Sequence, residues 1–324
     1  MDAPGAFALI VVNHGSHALL ERNITAALVG WTVIVVDNPS TRTERIAVGK
    51  LCRERGWELV ASPFNDGFGA GVNRGVRAAI ELGCEVFVLL NPDASADAAT
   101  LDALARDVRE DPLRVVSPRV LTPAGRVEFR GAVVSLLTGR IRSGWIADDG
   151  DPEWVNWLAG ACMAFSGELF ERVGGFAEDY FLYWEDLDFS RRAVAHGAHL
   201  DVRSDLAVLH DEGGTQDRHG GPAKSHLYYY WNCRNRLVFG RRFHRGQWRT
   251  WVTSSPAQSW RILLRGGRRQ ILSDPGTLWA AIRGTLGGAV VCLRGPVDSL
   301  GPVAGPAVVG PAVATGHPMG RWVG

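Results

Sequence analysis

The chain has 324 residues, of which 46% are hydrophobic and 21% are charged, and its formal net charge is +1 at pH 7. This length accommodates one large α/β domain or two smaller ones, and the apolar content supports a sizeable core. The near-neutral charge and moderate charged fraction exclude a disordered chain and argue against a general nucleic-acid-binding protein.

The first 120 residues alternate short apolar runs with segments of helical periodicity. The runs that predict strands lie at 7–12, 31–36, 57–61 and 85–90, with a further strand beginning at Val115. The segments that predict helices lie at 17–28, 42–55, 68–82 and 97–109. Apolar strands that alternate with helices at this spacing predict βαβ units, so we expect an α/β fold with a mostly parallel central sheet flanked by helices.

The pattern changes after about residue 120. The elements expected there are strands or a hairpin at 126–146, one strand at 155–165, a short helix at 167–173 with Ser166 as its N-cap, a helix at 185–195 ended by Gly197, a strand at 206–209 and a helix at 223–239. The tail after Gly295 repeats Gly, Pro, Ala and Val, and we expect it to be disordered. The expected organisation is a domain at 1–240, a basic helical region at 241–294 and the tail at 295–324.

The basic region stands out from the near-neutral chain. Between Arg234 and Arg294 the sequence carries twelve arginines against a single acidic residue, Asp274, with four tryptophans among them. This mixture suits a membrane surface, where anionic lipid attracts the cations and indole lies at headgroup level. The alternative is a solvated basic face packed on the preceding domain. The sequence has no uninterrupted apolar run of about 18 residues, so we predict no transmembrane helix.

The cysteines and the N-terminal segment bear on the cellular compartment. The five cysteines are widely separated and form neither a CxxC pair nor a zinc-binding spacing, which favours a reduced setting. The segment MDAPGAFALIVVNHGS lacks the basic start and long apolar core of a signal peptide. We therefore expect a cytoplasmic protein, and the basic region allows a peripheral position on the inner face of the cell membrane.

Polar residues follow three of the predicted strands. They are Asn13 with His14, Asp37 with Asn38, and Asn91 with Asp93. Ligands bind beyond the carboxyl ends of strands in open parallel sheets, so three such groups predict a site, although Asp, Asn and Pro also favour turns. Asp37 is a candidate to accept hydrogen bonds from a base or ribose. The glycine-rich segment 65–75 offers close backbone approach, but it matches neither a P-loop nor the GxGxxG dinucleotide pattern.

An acidic cluster marks the segment 173–192, VGGFAEDYFLYWEDLDFSRR. It places Glu185 and Asp186 side by side and Asp188 two residues further on. Acidic clusters beside large apolar side chains are costly to bury, so they usually lie where charge is needed. Asp188 has an alternative role as a partner of one of the following arginines, and the aromatic run at 180–184 either faces a sugar or packs the core. Together with LLNPDA at 89–94, the cluster predicts an enzyme that handles a metal-bound phosphate ester.

Six segments in this order resemble successive blocks of the family 2 inverting glycosyltransferases, and most of all their bacterial rhamnosyltransferase-like branch. They are VVDNPS (35–40), NDGFGAGVNRG (65–75), LLNPDA (89–94), WLAGACMAF (157–165), GGFAEDYFLYWEDLDFSRR (174–192) and VLH (208–210). The resemblance covers about residues 6–240. It implies a GT-A fold, in which a Rossmann-like nucleotide-binding half is merged with an acceptor-binding half.

The resemblance also implies roles for individual residues. Asp186 matches the general base. Asp93 matches the last acid of the DxD-type element that holds Mg²⁺ or Mn²⁺ on the diphosphate, and His210 matches a histidine that completes the metal site in some members. The expected donor-binding residues are Asn13, Asp37, Asn38, Asn65, Asn73, Asn91 and Asp93. The expected acceptor-binding residues are Gly160, Trp184 and Glu185.

The expected activity is transfer of a hexose, L-rhamnose from dTDP-rhamnose, to a cell-envelope polysaccharide, glycolipid or similar acceptor. The alternatives are a galactofuranosyl- or mannosyl-type transferase on the same fold and a catalytically silent module that binds a nucleotide sugar or glycan. The presence of both Asp93 and Asp186 disfavours the silent module, because binding alone needs no base. The run 234–236 either contacts the diphosphate or a lipid-linked acceptor or lies on a solvated helix face. No nucleic-acid partner is expected.

Overall fold

The computed structural model describes residues 6–25, 28–145, 153–211 and 223–294. The strands in these ranges are β1 (Phe7–Asn13), β2 (Thr32–Asp37), β3 (Glu58–Ala61), β4 (Val86–Leu90), β5 (Ala94–Ser95), β6 (Arg114–Leu121), β7 (Val127–Phe129), β8 (Ala132–Ser135), β9 (Ile141–Ser143), β10 (Trp154–Trp157), β11 (Cys162–Ser166) and β12 (His199–His210). The α-helices are α1 (His17–Asn23), α2 (Arg42–Arg55), α3 (Phe68–Glu81), α4 (Ala98–Glu110), α5 (Gly167–Val173), α6 (Glu185–Ala195), α7 (His226–Phe243), α8 (Trp248–Thr253), α9 (Ser255–Leu263), α10 (Arg268–Ser273) and α11 (Pro275–Arg294). Two short 3-10 helices span Arg245–Gln247 and Leu264–Gly266.

One large sheet forms the centre of the molecule. Its strand order is β3-β2-β1-β4-β11-β6-β12-β5, with β7 paired to β6. The first four strands run parallel, whereas β11 is antiparallel to both β4 and β6. Strands β10, β8 and β9 form a separate antiparallel sheet. The predicted α/β fold is confirmed, with the parallel arrangement concentrated in the first four strands and mixed pairing beyond β4.

Strand β1 is buried on both faces and separates two cores. Leu9 and Val11 belong to one apolar cluster, while Ile10 and Val12 belong to the other, because successive side chains of a strand point to opposite faces. Helix α3 lies against the second cluster at unusually short range. A Cβ atom at Gly71 would lie 2.7 Å from Val12 Cγ1. Gly71 and Gly75 thus let the helix approach the sheet, a role that the sequence alone left open.

Most predicted elements agree closely with the structure. The bounds of α2, α5 and α6 are those expected, and the Ser166 hydroxyl accepts a hydrogen bond from the Leu169 N–H as the predicted N-cap. The single strand expected at 155–165 is wrong, because residues 158–161 separate β10 from β11 and the two strands belong to different sheets. The strand expected at 206–209 is the end of the longer β12. The loop expected after His210 and the tail at 295–324 lie outside the described residues.

The C-terminal helices pack on the segment that carries the acidic cluster. Trp251 and Cys292 belong to the same apolar cluster as Tyr180 and Trp184. The predicted boundary at residue 240 falls inside α7, so this helix spans both of the predicted regions.

Helix α11 packs on α7 through small side chains. Its buried residues are Thr277, Ala281, Gly284, Gly288 and Cys292, which recur every three or four positions. A Cβ atom at Gly284 would collide with the Tyr230 carbonyl oxygen, and one at Gly288 would lie 2.7 Å from the Arg234 carbonyl oxygen. By length and composition alone α11 is able to cross a membrane, with 33% of its most apolar stretch buried, but core helices of soluble proteins meet the same criteria.

All five cysteines are buried and unpaired. Burial raises the pKa of the Cys162 thiol to about 12. Burial is also the main cause that raises the pKa of Cys52 to about 11. The thiols therefore stay protonated at neutral pH and act as small apolar groups in the core.

Candidate active site

The sheet brings the predicted site residues to one edge. Strands β1 and β2 are parallel, and Asn13 is the register partner of Asp37. Strand β4 runs in the same direction and ends at Leu90, just before the 91–93 segment. The antiparallel β11 starts at this edge, with Cys162 opposite Leu90. Gly160, two residues before β11, consequently lies at the carboxyl ends of the parallel strands, where ligands of such sheets bind.

Asp37 is held by two partners at the end of β2. Asn13 Nδ2 donates to Asp37 Oδ1 at 3.2 Å, and Arg45 Nε donates to Asp37 Oδ2 at 2.8 Å. Both carboxylate oxygens of this buried residue are engaged within the chain. Arg45, in the first turn of α2, was missed by the sequence reasoning because it follows Asp37 by eight residues without a motif. Donor binding by Asn13 and Asp37 remains a prediction, and these contacts fix the orientation of the carboxylate.

A polar loop lies beside this pair. Asn38 Nδ2 donates to the Gly67 carbonyl oxygen at 2.9 Å, and Asn65 Oδ1 accepts from the Gly67 N–H at 3.1 Å. His14 Nδ1 lies 3.1 Å from the Asn38 carbonyl oxygen. Among the described residues, Asn38 Oδ1 is buried without a hydrogen-bond partner. Buried acceptors are rarely left unpaired in native proteins, which marks this oxygen as a point for contact with a donor group from outside the chain.

Asn73 ties helix α3 to the turn that follows α5. Its Oδ1 accepts from the Phe176 N–H at 2.8 Å, and its Nδ2 lies 2.9 Å from both the Phe176 carbonyl oxygen and Glu178 Oε1. These bonds engage both ends of the amide. They assign Asn73 the task of holding the glycine turn at 174–176, and its predicted contact with the donor remains untested.

Asp93 and His210 meet where β12 pairs with β5. His210 is the register partner of Ala94, and its Nε2 lies 3.2 Å from Asp93 Oδ1. Its Nδ1 lies 3.3 Å from Glu128 Oε2 on β7, a residue that the sequence reasoning did not single out. Burial lowers the pKa of His210, but hydrogen bonds and charges of the two carboxylates more than offset this effect and raise the pKa to about 10. Within the described ranges, no group of three or more His, Cys, Asp or Glu side chains is arranged as a metal site.

Asp186 lies in the first turn of α6 and faces the start of β11. Its Oδ2 accepts from the Gly160 N–H at 3.0 Å, and its Oδ1 accepts from the Leu187 N–H at 2.8 Å. Burial raises the pKa of Asp186 to about 6, and the backbone N–H groups limit the rise. The carboxylate is therefore ionised at neutral pH but more basic than an ordinary aspartate, as a general base requires.

Glu185 has a different environment from its neighbour. It is only 5% exposed, and its Oε2 has no hydrogen-bond partner within the described residues. Burial and, next, the charge of Asp186 raise the pKa of Glu185 well above its usual value. The proton of the pair consequently resides on Glu185 while Asp186 carries the charge, because only Asp186 receives backbone N–H groups on both oxygens.

Asp188 is part of a buried ion-pair network. It accepts from Arg192 Nε at 2.5 Å and from Arg242 Nη1 at 2.8 Å. The predicted pairing with a following arginine is confirmed for Arg192. The second Nη of Arg242 donates to Asp179 Oδ2 at 2.8 Å, so this arginine of α7 joins both ends of the segment 179–188.

The backbone before Glu185 is strained. Tyr183 and Trp184 have φ angles of 66° and 78°, and the structure describes no other non-glycine residue with positive φ. Such conformations cost about 1–3 kcal/mol each and persist only where the surroundings enforce them. Asn235 of α7 supplies that enforcement, because its Nδ2 donates to the carbonyl oxygens of Leu182 at 2.9 Å and Tyr183 at 2.8 Å.

The residues 234–236 are buried, and the structure supports neither predicted role for them. Arg234 Nη1 donates to the Asp179 carbonyl oxygen at 3.1 Å and to Asn235 Oδ1 at 2.6 Å. Arg236 donates to the Thr138 and Trp251 carbonyl oxygens. A solvated face is excluded by this burial, and their donors are directed at the chain itself. Arg234 and Asn235 together make α7 the support of the 179–184 segment.

The aromatic run divides between core and surface. Tyr180 and Trp184 are buried, and Trp184 packs 5.5 Å from Phe239 between ring centroids. Only 4% of the Trp184 side chain is exposed, so it packs in the core, and its acceptor contact stays a prediction. Phe181 and Tyr183 are partly exposed and remain candidates to face a sugar.

Known proteins resemble this chain in sequence and in fold. Residues 8–153 match the model of the family described as Glycosyl transferase family 2. A low-salt glycan biosynthesis hexosyltransferase of Haloferax volcanii is 25% identical over 244 residues, which are 71% of this chain and 74% of the relative. An N-acetylglucosaminyl-diphospho-decaprenol L-rhamnosyltransferase of Mycobacterium tuberculosis is 27% identical over 246 residues, 67% of this chain and 77% of the relative.

A solved structure shares the fold. The mannosyltransferase PcManGT from Pyrobaculum calidifontis, in complex with GDP-Man and Mn²⁺, superposes with a TM-score of 0.53 at 17% identity and covers 89% of this chain and 87% of its own. The six blocks in order, the sheet edge that gathers them and the matched domain lead to one conclusion. Residues 8–153 match the domain of the family 2 glycosyltransferases, and the chain has the GT-A fold.

Proposed function

We propose that the chain transfers a hexose from a nucleotide-diphosphate donor to an acceptor hydroxyl, with inversion at the anomeric carbon and Asp186 as general base. The observation that carries the proposal is the state of the Asp186 carboxylate. Two backbone N–H groups hold it at the edge where β1, β2 and β4 end, and burial raises its pKa to about 6. A module that only binds a nucleotide sugar or glycan does not need a carboxylate with a raised pKa at this position.

The reaction is a single displacement. The acceptor hydroxyl attacks the anomeric carbon on the face opposite the diphosphate, and Asp186 takes up the hydroxyl proton. The new carbon–oxygen bond forms as the bond to the diphosphate breaks, and the nucleotide diphosphate leaves with the electron pair. Glu185, which keeps its own proton, remains neutral beside the acceptor.

A divalent metal, Mg²⁺ or Mn²⁺, would be held by Asp93 and by His210 once the imidazole has lost its proton. The donor set fits, because Asp93 Oδ1 and His210 Nε2 lie 3.2 Å apart and such ions need few protein ligands beside phosphate oxygens. When bound, the metal supplies positive charge that stabilises the leaving diphosphate. The mannosyltransferase structure, which contains GDP-Man and Mn²⁺, supports a divalent metal in general.

The sugar, the acceptor and the location are inferred from the relatives. The mycobacterial relative is named as an L-rhamnosyltransferase that acts on a decaprenol-linked N-acetylglucosamine, and the haloarchaeal relative as a hexosyltransferase of glycan biosynthesis. We infer L-rhamnose from dTDP-rhamnose as the donor and a cell-envelope polysaccharide or lipid-linked glycan as the acceptor. Such an acceptor places the enzyme in the cytoplasm, at the inner face of the cell membrane.

A screen of nucleotide sugars tests the donor. The full chain is heated with dTDP-rhamnose, UDP-galactofuranose or GDP-mannose, each with Mg²⁺, with Mn²⁺ or with neither. A ligand bound only by the folded protein raises the melting temperature by mass action. We expect the largest rise with dTDP-rhamnose and metal, followed by turnover of that donor with a prenyl-diphosphate-linked acceptor. A larger rise with another nucleotide sugar reassigns the donor, and stabilisation without any turnover favours the silent module.

A further inference from the structure

Helix α11 presents an exposed apolar face opposite the face that packs on α7. The side chains on this face are between 41% and 71% exposed and recur at helical spacing; they are Leu278, Trp279, Ile282, Leu286, Val290 and Leu293. Residues three or four positions apart lie on the same side of a helix. A continuous row of exposed apolar side chains along most of a 20-residue helix is typical of an interaction surface. We call these six residues the α11 row.

The exposed charges beside the α11 row all have the same sign. Within the described residues 246–294, the exposed charged residues are Arg249, Arg261, Arg265, Arg268, Arg269, Arg283 and Arg294. Oδ2 of Asp274, the single acid of this stretch, lies 2.6 Å from His226 Nε2. Trp260 adds a further exposed indole, at 51%. The surface therefore combines apolar side chains, indole rings and uncompensated positive charge.

This combination of apolar side chains and positive charge favours one kind of binding partner. A second copy of the chain would bring two sets of arginines together at a symmetric interface, and like charges repel. The sequence after α11 carries one acid, Asp298, and one arginine, Arg321, so it cannot neutralise the surface. A soluble polyanion would pair with the arginines but leave the α11 row in water. An anionic lipid surface satisfies both, since headgroup phosphates meet guanidinium groups while indole and aliphatic side chains enter the acyl boundary.

We propose that the α11 row and its surrounding arginines dock the enzyme in the plane of an anionic lipid bilayer. The face of α11 that carries Gly284 and Gly288 stays packed against α7, because the α7 backbone leaves no room for a Cβ atom at either position. The helix thus lies on the membrane with one face and on the protein with the other, without crossing the bilayer. This inference rests on the proposed function in one respect, because a lipid-linked acceptor would be met at that surface; the docking itself requires no donor or acceptor.

Vesicle co-sedimentation tests the docking in the absence of donor sugar. The full chain is mixed with phosphatidylcholine vesicles that contain or lack phosphatidylglycerol. We expect binding only with phosphatidylglycerol, and a loss of about tenfold or more in partitioning for Ile282→Gln with Leu286→Gln. The matched control is Ile46→Gln with Leu82→Gln, which removes two equally exposed apolar side chains of α2 and the end of α3. That control should bind as the wild type does.

The charge is tested in the same assay. Arg268→Glu with Arg269→Glu should weaken binding by about tenfold or more, whereas Arg53→Glu with Arg77→Glu, two exposed arginines of α2 and α3, should have a smaller effect. The proposal is overturned if the wild type binds no vesicle, or if the α11 row variant binds as well as wild type. Loss of a lipid-free dimer in that variant would assign the row to a second copy. Because the vesicle assay contains no donor sugar, its outcome does not test the proposed transfer reaction, which is measured separately.

Discussion

At the scale of single residues, the site separates two neighbouring carboxylates by their surroundings. The sequence places Glu185 beside Asp186, and the family pattern selects the latter as the base. The physical reason is long-range, because the Gly160 N–H that stabilises the Asp186 charge comes from a loop 26 residues away. The sequence of two adjacent acidic residues predicts neither this contact nor the absence, among the described residues, of a partner for Glu185 Oε2. It therefore identifies the candidate bases but not their protonation states.

Asp186→Asn should reduce kcat by about 10²- to 10⁴-fold while donor binding stays near wild type, because only the proton acceptor is lost. Glu185→Gln is the matched control. It keeps the size and the neutral state of the side chain, and we expect it to retain most of the activity. In the wild type, kcat/KM should fall as the pH decreases through about 6, since Asp186 becomes protonated below its raised pKa. Steady-state kinetics from pH 4.5 to 8 measure both effects, and the reverse ranking of the two variants would assign the base to Glu185.

At the scale of secondary structure, helix caps could be predicted from the sequence, whereas the long-range contacts between elements could not. Helix α5 begins after Ser166, the predicted N-cap, and α6 ends at Ala195, two residues before the predicted stop at Gly197. Helix α7 was also found, but the roles of Arg234 and Asn235 were not. Their partners lie more than 50 residues earlier in the chain, in a strained segment whose conformation no local pattern reveals. A buried polar residue looks the same in a sequence as a solvated one.

Asn235→Ala should loosen the segment that precedes Glu185. Two partly buried carbonyl groups lose their donor, which costs about 1–3 kcal/mol of stability. Because Asp186 is then less well placed, we expect kcat to fall by about ten- to a hundredfold and the acid limb of the pH profile to shift. The control is Asn232→Ala on the same helix, whose Nδ2 donates only to the Tyr228 carbonyl oxygen one turn away. Equal effects of the two variants on the pH profile would remove Asn235 from a positioning role.

Arg242→Met tests the ion pairs that link α7 to Asp179 and Asp188. These partners are buried, so the substitution leaves Asp179 without its cation and Asp188 with Arg192 alone, and it should lower the free energy of unfolding by about 3–5 kcal/mol. Arg172→Met is the control, because its pair with Glu168 is exposed and helical pairs of this type contribute about 0.3–0.5 kcal/mol. Urea denaturation compares the two. A small loss for Arg242 would mean that water reaches this network and screens the charges.

At the scale of the whole molecule, the proposed membrane-facing helix and the catalytic segment are joined through α7. Helix α11 packs on α7, and α7 holds the backbone in front of Asp186. Deletion of residues from 241 onward would remove Trp251 and Cys292 from the cluster that contains Trp184. Such a truncation would disturb catalysis and docking together, so substitutions on the exposed face are the cleaner way to study the membrane.

Substitutions at two glycines of α11 test the packing of α11 on α7. Gly284→Ala should push α11 away from the Tyr230 carbonyl oxygen and destabilise the protein by about 1–3 kcal/mol. Gly287→Ala is the control, because its Cβ atom would lie 3.5 Å from Tyr230 Oη in ordinary contact and alanine favours helix by about 1 kcal/mol. We expect a lower melting temperature for the first variant and an equal or higher one for the second. Equal melting temperatures for both would show that α11 shifts without strain.

The buried, reduced cysteines can serve as reporters of local opening of the structure. Each thiol is shielded and has a raised pKa in the folded state, so an alkylating reagent reacts only when its surroundings open. Cys292 lies between two helices, where its Sγ donates to the Leu237 carbonyl oxygen of α7, whereas Cys162 lies in the central sheet. Alkylation of Cys292 ahead of Cys162 would mean that α11 detaches before the sheet unfolds. Simultaneous alkylation would mean that the C-terminal helices and the catalytic sheet open as one cooperative unit.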